Sequence, residues 1–396
     1  MSDGMVRADA TRRAWLETIE RHRLNPDAPG SADYWSPRLD TASRDELTAI
    51  QNEKLCAVVP FLYDREAWAW ANARALLAMG FRQGETVFMM TGYGPHVWAW
   101  GVQYALEKMG LPTIPGGGMD AKARANIVLR FRPTILLCTP SYALHLGRLM
   151  QAMGHDPAAT NVHTLFLAGE PALAVESTRQ RIQNLWNARI VEFYGCTEAS
   201  PHVGGYSCPA QRRDTSPAAT HLMEDVQVWE IVDPNSRHAL PSGQRGLTVC
   251  TNLNSESSPQ LRFLVGDYAT LTTERCSCGR THVRAIGSFA GRADDLINLR
   301  GIKMFPVQIE ETVRALPGSG DEFEIVISTD SGGLDVMTVR CEHSDHATSG
   351  TELRQRLEEE IRTRCEVRVA AEVLAPGTLP KTEFKAQRVK DQRRKA

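Results

Sequence analysis

The strongest constraint on this chain is an alternation of short apolar runs and helical patterns between residues 86 and 195. Runs such as TVFMMT (86–91) and TILLCTP (134–140) have the length of strands, and each is followed by a stretch of helical length. Strand and helix in alternation are typical of an α/β structure with a largely parallel sheet. The sequence therefore predicts an α/β fold whose ligand site lies at the carboxyl ends of the strands.

The pattern changes after residue 196, where short strand-like segments are separated by Gly, Pro and Ser turns. A compact α+β pattern follows from about residue 294. Because 396 residues are too many for one hydrophobic core, at least two domains are expected. The predicted units are a large N-terminal domain (1–293), its β-rich subdomain (about 200–290) and a small C-terminal domain (294–396). Helices are also predicted over 8–23, 44–59 and 64–80.

Composition and charge exclude several classes of protein. The formal net charge of -2 argues against a nucleic-acid-binding protein, which usually carries a clustered basic excess. No run of 18 apolar residues occurs, so no membrane span is predicted. The first residues lack the apolar core of a signal peptide, and a cytoplasmic location is expected. The nine cysteines are then expected to be thiols or metal ligands rather than disulfides.

Four motifs carry the functional information. AGEP begins at Ala168 and YGCTE at Tyr194, each at a predicted strand end, and RFLVGDY contains Asp267. The longest is GRADDLINLRGIKMFPVQIE, from Gly291 to Glu310. In this order and spacing they resemble the adenylate-forming enzymes, and within them the phenylacetate-CoA ligase family, over about residues 55–390. The resemblance implies a large α/β domain, a small mobile C-terminal domain and the use of ATP, Mg²⁺ and CoA.

The resemblance also implies roles for individual residues. The Tyr194 ring would stack on adenine, the Thr197 hydroxyl would contact the α-phosphate, and the Glu198 carboxylate would help to hold Mg²⁺, which prefers oxygen ligands. Asp267 and Arg292 would bind the ribose. The adenine pocket would be lined by Ala168, Gly169, Glu170 and Pro171.

The C-terminal part of the resemblance implies a moving domain. Asp294 would be the hinge about which the small domain turns between two half-reactions. Gly301 would let the pantetheine arm of CoA pass close to the backbone. Lys385, in LPKTEFKAQRV, would be the catalytic lysine that neutralises charge on the α-phosphate and the attacking carboxylate. Phe384 stands where the family usually has glycine.

One expected element is missing. The family carries a Ser/Thr/Gly-rich loop whose backbone N–H groups hold the β- and γ-phosphates. It should precede the helix predicted to start at Asp64, but VVPFLYDREAWAW (58–70) passes directly from one predicted helix to the next. The glycine cluster PGGG (115–118) comes too late in the chain to replace it.

Aromatic residues suggest the acid substrate. TGYGPHVWAW (91–100) and TPSYAL (139–144) resemble family segments that line a pocket for an aromatic acid. Tyr93, His96 and Tyr142 would line that pocket. The alternative is that these side chains pack in the core, as single aromatic residues more often do.

A metal site is a further prediction. Cys276 and Cys278 lie in CSCGR, while Cys208 lies in YSCPA with His221 after it. Three thiolates and one imidazole suit a structural zinc ion. The alternative is a set of reduced thiols and an unrelated histidine. Four other cysteines lie in apolar runs and are predicted to be core residues: Cys56, Cys138, Cys250 and Cys341.

Three functions remain open. The first is a ligase that activates an aromatic or arylacetic acid as acyl-AMP and transfers it to CoA or another nucleophile. The second is a scaffold or regulator that binds AMP or an acyl-adenylate without catalysis, because the phosphate loop is missing. The third is an enzyme that consumes a preformed adenylate or thioester. The sequence does not specify the acid, the acceptor (CoA, a carrier protein or an amine) or the oligomeric state, a homodimer included.

Overall fold

A computed structural model describes residues 62–93, 97–171, 173–196, 204–208, 218–253, 260–289, 291–330, 332–344, 350–381 and 387–393. The helices predicted over 8–23 and 44–59 lie outside these residues. The helix predicted over 64–80 is present and spans Leu62–Ala78. None of the helices in the described part of the chain is both long and apolar enough to cross a membrane.

The predicted alternation of strands and helices is confirmed between residues 62 and 194. Five strands form a parallel array in the order β2-β1-β3-β4-β5. The strands are β1 (Val87–Met89), β2 (Thr113–Pro115), β3 (Ile135–Cys138), β4 (Thr164–Leu167) and β5 (Arg189–Tyr194). The helices are α1 (Leu62–Ala78), α2 (Val97–Lys108), α3 (Ala121–Phe131), α4 (Pro140–Ala152) and α5 (Glu176–Trp186), with a 3₁₀ turn at Pro157–Ala159.

Each face of this array is covered by helices. The apolar cluster that includes Leu76 and Leu106 packs α1 and α2 on one face. The cluster that includes Leu146 and Trp186 packs α4 and α5 on the other face. Strand residues are buried on both sides, which explains why the strands read as continuous apolar runs in the sequence.

The β-rich segment extends the parallel array into one sheet of 11 strands. Antiparallel pairing of β5 with β6 makes the connection, and the order continues β7-β11-β10-β9-β8. The strands are β6 (Gly205–Ser207), β7 (Ala219–Leu222), β8 (Gln227–Val232), β9 (Arg245–Asn252), β10 (Phe263–Thr272) and β11 (Arg284–Ile286). Three of them, β6, β7 and β11, have three or four residues and were not predicted, because so few residues show no periodicity.

The C-terminal region forms two smaller sheets. A hairpin of β12 and β13 precedes a four-stranded sheet in the order β16-β15-β14-β17. The elements are β12 (Ile297–Leu299), β13 (Ile302–Met304), α6 (Pro306–Ala315), β14 (Ser319–Thr329), β15 (Asp335–His343), α7 (Gly350–Cys365), β16 (Ala370–Leu374) and β17 (Val389–Asp391). These elements share one apolar core. The domain boundary near residue 293 stays a prediction.

Candidate active site

The residues that follow the parallel strands meet at one edge of the sheet. Thr139 follows β3, Ala168 follows β4, and Tyr194 ends β5. The carboxyl ends of parallel strands, with helix N-termini beside them, are where α/β folds place ligands. The AGEP and YGCTE motifs both begin at this edge.

Asp267 joins Tyr194 and Arg292, which are far from it in sequence. The Tyr194 hydroxyl donates to Asp267 Oδ2 at 2.7 Å, and Arg292 Nη1 donates to Asp267 Oδ1 at 3.0 Å. A β-bridge also pairs the backbones of Asp267 and Arg292. Asp267 is only 9% exposed. The structure therefore brings together the three residues expected to hold the nucleoside.

The charges in this group are mutually compatible. Burial and the Asp267 carboxylate raise the pKa of Tyr194 well above its ordinary value, so the hydroxyl stays a donor. Burial alone would lower the pKa of Arg292, but the carboxylates of Asp267 and Asp294 outweigh burial and raise this pKa above its ordinary value. Arg292 Nε donates to Asp294 Oδ1 at 3.0 Å, so the expected hinge residue is tied to the same group.

Three residues of this site were missed in the sequence: Phe289, Ser288 and Glu192. The Phe289 ring stacks on Tyr194 with centroids 3.3 Å apart and planes 4° apart. Next to it, the Ser288 hydroxyl donates at 2.8 Å to the carboxylate of Glu192, which is 5% exposed. Glu192 also accepts from the backbone N–H of Leu173 at 3.3 Å. An acidic residue within the apolar strand RIVEFY was the available signal, because a buried carboxylate needs partners.

The adenine-pocket motif adopts a tight turn. Gly169 has φ of 85°, a conformation that favours glycine. The next residue, Glu170, accepts hydrogen bonds at Oε2 from the Ser141 backbone N–H at 3.0 Å and from its hydroxyl at 2.8 Å. Because Ser141 lies in the first turn of α4, the carboxylate lies at a helix N-terminus, which stabilises negative charge. Glu170 therefore holds the turn against α4.

Several expected site residues lie outside the described residues. These are Thr197, Glu198, Lys385 and His96. Arg388 follows Lys385 by three residues, and its Nη2 lies 3.5 Å from the Ser141 hydroxyl. The segment after the expected catalytic lysine therefore reaches the edge that carries Glu170.

Tyr93 and Tyr142, which are expected to line the acid pocket, pack in different apolar clusters. Tyr93 packs at the α1–α2 face and lies 5.0 Å from the Trp100 ring, with its hydroxyl 2.9 Å from Gln103 Oε1. Tyr142 is 2% exposed and belongs to the core on the opposite face, where the Arg124 guanidinium lies 4.8 Å from its ring. The place of Tyr142 in an acid pocket stays a prediction.

The four expected metal ligands converge. Cys208, His221, Cys276 and Cys278 each offer a ligand atom, and these atoms all lie within 4.8 Å of one another. The Sγ atoms of Cys208 and Cys276 are 3.4 Å apart, and Cys278 Sγ is 3.3 Å from His221 Nε2. A tetrahedral zinc ion with Zn–S bonds of about 2.3 Å would place two sulfur ligands roughly 3.8 Å apart. The donor set and its spacing therefore fit zinc.

Burial also sets the protonation state of His221 and of the cysteines outside this cluster. Burial lowers the pKa of His221 to about 4, so its imidazole is neutral near pH 7. The cysteines expected in the core, Cys138, Cys250 and Cys341, are all buried, whereas Cys56 lies outside the described residues. Burial raises the pKa of Cys341 to about 11, which keeps that thiol protonated and inert.

Comparisons with known proteins identify relatives of this chain. The model of the AMP-binding enzyme family matches residues 95–251, and that of the AMP-binding enzyme C-terminal domain matches residues 301–393. Phenylacetate-coenzyme A ligase of Thermus thermophilus is 30% identical over 350 residues, covering 84% of this chain and 76% of its own. The enzyme of that name from Pseudomonas putida is 30% identical over 83% of this chain and 74% of its own.

Solved structures of a ligase share the fold of this chain. The crystal structure of 2-hydroxyisobutyryl-CoA ligase in the postadenylation state with R3-HIB-AMP matches with a TM-score of 0.77 and 29% identity, covering 83% of this chain and 70% of that chain. In the thioesterification state, with 2-HIB-AMP and CoA, that ligase matches with a TM-score of 0.56, again at 29% identity, covering 84% of this chain and 70% of that chain.

Proposed function

We propose that this enzyme, which belongs to the phenylacetate-coenzyme A ligase family and is an adenylate-forming acid-CoA ligase, activates an aromatic or arylacetic acid. Two curated relatives at 30% identity are named for phenylacetate. In this chain, Tyr93 and Trp100 place an aromatic pair just beyond β1. The observation that supports activation through an adenylate is the convergence of Tyr194 and Arg292 on Asp267 at the carboxyl edge of the sheet.

The nucleoside would be held by this group. A carboxylate has about four acceptor positions, so Asp267 can serve protein donors and ribose hydroxyls at the same time. Phe289 covers one face of the Tyr194 ring, so adenine would stack on the opposite face. Arg292 fixes the orientation of the Asp267 carboxylate through its Nη1 hydrogen bond.

The reaction would proceed in two half-reactions. A carboxylate oxygen of the acid attacks the α-phosphorus of ATP, and pyrophosphate leaves with the bonding pair. Lys385 would stabilise the charge that develops between the two anions. The thiolate of CoA then attacks the acyl carbon, and AMP leaves. The Glu198 carboxylate would help to hold Mg²⁺, which would screen the charge of the phosphates.

The binding-only alternative gains no support from the relatives described above, which are named as ligases. A test is the exchange of labelled pyrophosphate into ATP, with phenylacetate, benzoate, 2-hydroxyisobutyrate and acetate supplied separately. We expect exchange with an aromatic or arylacetic acid. Exchange with 2-hydroxyisobutyrate alone would overturn the proposed substrate class, and no exchange with any acid would overturn ATP-dependent activation.

Replacing Phe289 with leucine is expected to raise the KM for ATP about 3- to 10-fold with little change in kcat. One aromatic stack contributes about 0.5–1.5 kcal/mol. Without it, the orientation of the Tyr194 ring against adenine would be less well defined. Steady-state pyrophosphate exchange over a range of ATP concentrations measures this. Phe131→Leu is the matched control, because that phenylalanine is 54% exposed on α3. Equal KM values for the two variants would contradict the assignment of Phe289.

The cluster of Cys208, His221, Cys276 and Cys278 is proposed to hold a structural zinc ion. Its ligands come from the end of β6, from β7 and from the turn after β10, so the ion would join three parts of the β-rich segment. All four protein ligands are used, which leaves no open position for catalysis. The role of the ion would be to stabilise the fold.

A further inference from the structure

Arg181 on α5 makes a dense set of hydrogen bonds to the small C-terminal unit. Its Nε donates to the Arg314 carbonyl at 2.8 Å, and its Nη2 donates to the Ser319 hydroxyl at 2.8 Å. Its Nη1 donates to the Gly320 carbonyl at 2.9 Å and to Asp321 Oδ1 at 3.0 Å. One side chain of the large α/β part therefore binds the end of α6 and the start of β14.

Asp321 is also bound by a second arginine of the large part. Arg148 on α4 donates from Nε to Asp321 Oδ2 at 2.8 Å. The side chains of Arg181 and Asp321 are 18% and 15% exposed, so this pair is largely shielded from water. Burial by itself would raise the pKa of Asp321, but the guanidinium groups of Arg148 and Arg181 lower it below the ordinary value. The carboxylate is therefore charged near pH 7, and charge-assisted bonds of this kind are the strong ones.

A second set of bonds crosses the same boundary beside Arg181. The Glu311 carboxylate accepts from the Ser177 backbone N–H at 3.0 Å and from its hydroxyl at 3.1 Å. The Thr178 hydroxyl donates to Glu310 Oε1 at 2.8 Å. Two carboxylates on α6 thus lie at the N-terminus of α5, where negative charge is favourable.

This docking also fixes the position of the C-terminal strand. Arg388 precedes β17, forms an ion pair with Glu322 and donates to the Phe323 carbonyl at 3.1 Å. Its Nη2 lies 3.5 Å from the Ser141 hydroxyl, which itself donates to Glu170. As long as α5 holds the start of β14, the segment that follows Lys385 stays at the carboxyl edge of the sheet.

The arrangement can be compared with three states of a related ligase. The TM-score is 0.77 against 2-hydroxyisobutyryl-CoA ligase in the postadenylation state and 0.56 against the thioesterification state, at 29% identity in both comparisons. An open conformation of that ligase gives 0.57. The chain thus has the postadenylation arrangement.

We propose that Arg181 and Asp321 are positioning residues that hold the small domain in the arrangement for adenylate formation and must separate before thioester formation. The proposal rests on the proposed function. It predicts that weakening this contact slows the first half-reaction and spares the second. A residue needed only for stability would affect both half-reactions equally.

The test uses the full-length enzyme with Arg181→Met and, as a second variant, Asp321→Asn. Pyrophosphate exchange measures the first half-reaction, and CoA-dependent consumption of added acyl-AMP measures the second. We expect exchange to fall roughly 10- to 100-fold in Arg181→Met, as for the loss of several charge-assisted hydrogen bonds. Thioester formation from added acyl-AMP should stay within about twofold of wild type or rise.

Arg364→Met is the matched control. Arg364 makes a comparable bond to Glu360 at 2.9 Å, but both residues lie on α7 of the small unit. Both rates should match wild type in this variant. Equal losses in the two half-reactions of Arg181→Met and Asp321→Asn, or no loss in either, would overturn the proposal.

A measurement that is independent of activity separates this proposal from the proposed function. If the wild-type enzyme shows no exchange, the proposed function fails, but small-angle X-ray scattering still tests the contact. Arg181→Met should then show a larger radius of gyration than wild type and Arg364→Met, with an unchanged circular dichroism spectrum. Identical scattering curves for all three proteins would overturn the positioning role.

Discussion

Asp267→Ala is expected to lower kcat/KM for ATP in pyrophosphate exchange by two to four orders of magnitude. The carboxylate is proposed to accept from two ribose hydroxyls, and hydrogen bonds to a charged group are worth about 1.5–3 kcal/mol each. Since about 1.4 kcal/mol is a factor of ten, two such bonds account for the expected range. The change also removes the acceptor that orients the Tyr194 hydroxyl and the Arg292 guanidinium.

The control for this prediction is Tyr194→Phe. It removes the 2.7 Å hydrogen bond to Asp267 but keeps an aromatic ring for stacking, so a loss below about tenfold is expected for one hydrogen bond. Asp267→Ala should still fold, because Arg292 is 35% exposed and keeps its bond to Asp294. Calorimetry with AMP measures the binding contribution directly. If Asp267→Ala bound AMP within tenfold of wild type, Asp267 would not be the ribose ligand.

The fold followed from the sequence where apolar runs were long and regular. TVFMMT and TILLCTP predicted β1 and β3 because strands buried on both faces have few polar positions to interrupt them. Helix α6 begins at Pro306, since proline is favoured in a first helical turn. By contrast, β7 has four residues and owes its existence to pairing with β6 and β11.

The site was predictable only where its residues lie in recognisable motifs. Tyr194, Asp267 and Arg292 were selected from three separate segments, and the structure brings them into contact. Phe289 could not be selected, because its role depends on a stacking partner 95 residues away in sequence. The face of the sheet against which Tyr142 packs was likewise beyond the sequence, since an aromatic residue on a helix gives no indication of which side it will face.

Contacts between the two parts of the chain were also beyond the sequence. Arg181 lies in an ordinary amphipathic helix, where arginine usually marks the solvent face. Its partners are backbone carbonyls, one hydroxyl and one carboxylate at residues 314–321, a set that only the packed structure defines. A buried charged side chain needs a full set of hydrogen-bond partners. The hydrophobic pattern of the sequence does not show whether the fold will supply them.

Cys276→Ser is expected to remove zinc from the purified protein and to lower the thermal midpoint by on the order of 10 °C. Structural zinc contributes directly to folding free energy, and a stability loss of about 1 kcal/mol shifts the midpoint of a domain of 150–250 residues by about 2–4 °C. A loss of several kcal/mol therefore gives a shift of this size. Elemental analysis of the wild-type protein should find about one zinc ion per chain, as four ligands at one site require.

Cys365→Ser separates the loss of metal from the loss of a buried thiol. Cys365 is 6% exposed in the apolar core that β12 to β17 share, far in sequence from the cluster, so its replacement can also lower the midpoint. Only Cys276→Ser, however, should lose zinc, and only the wild type and Cys365→Ser should unfold earlier when a chelator is added. If wild-type protein purified with added zinc held none, or if Cys276→Ser kept a full equivalent, the four residues would be thiols and a histidine packed together without a metal.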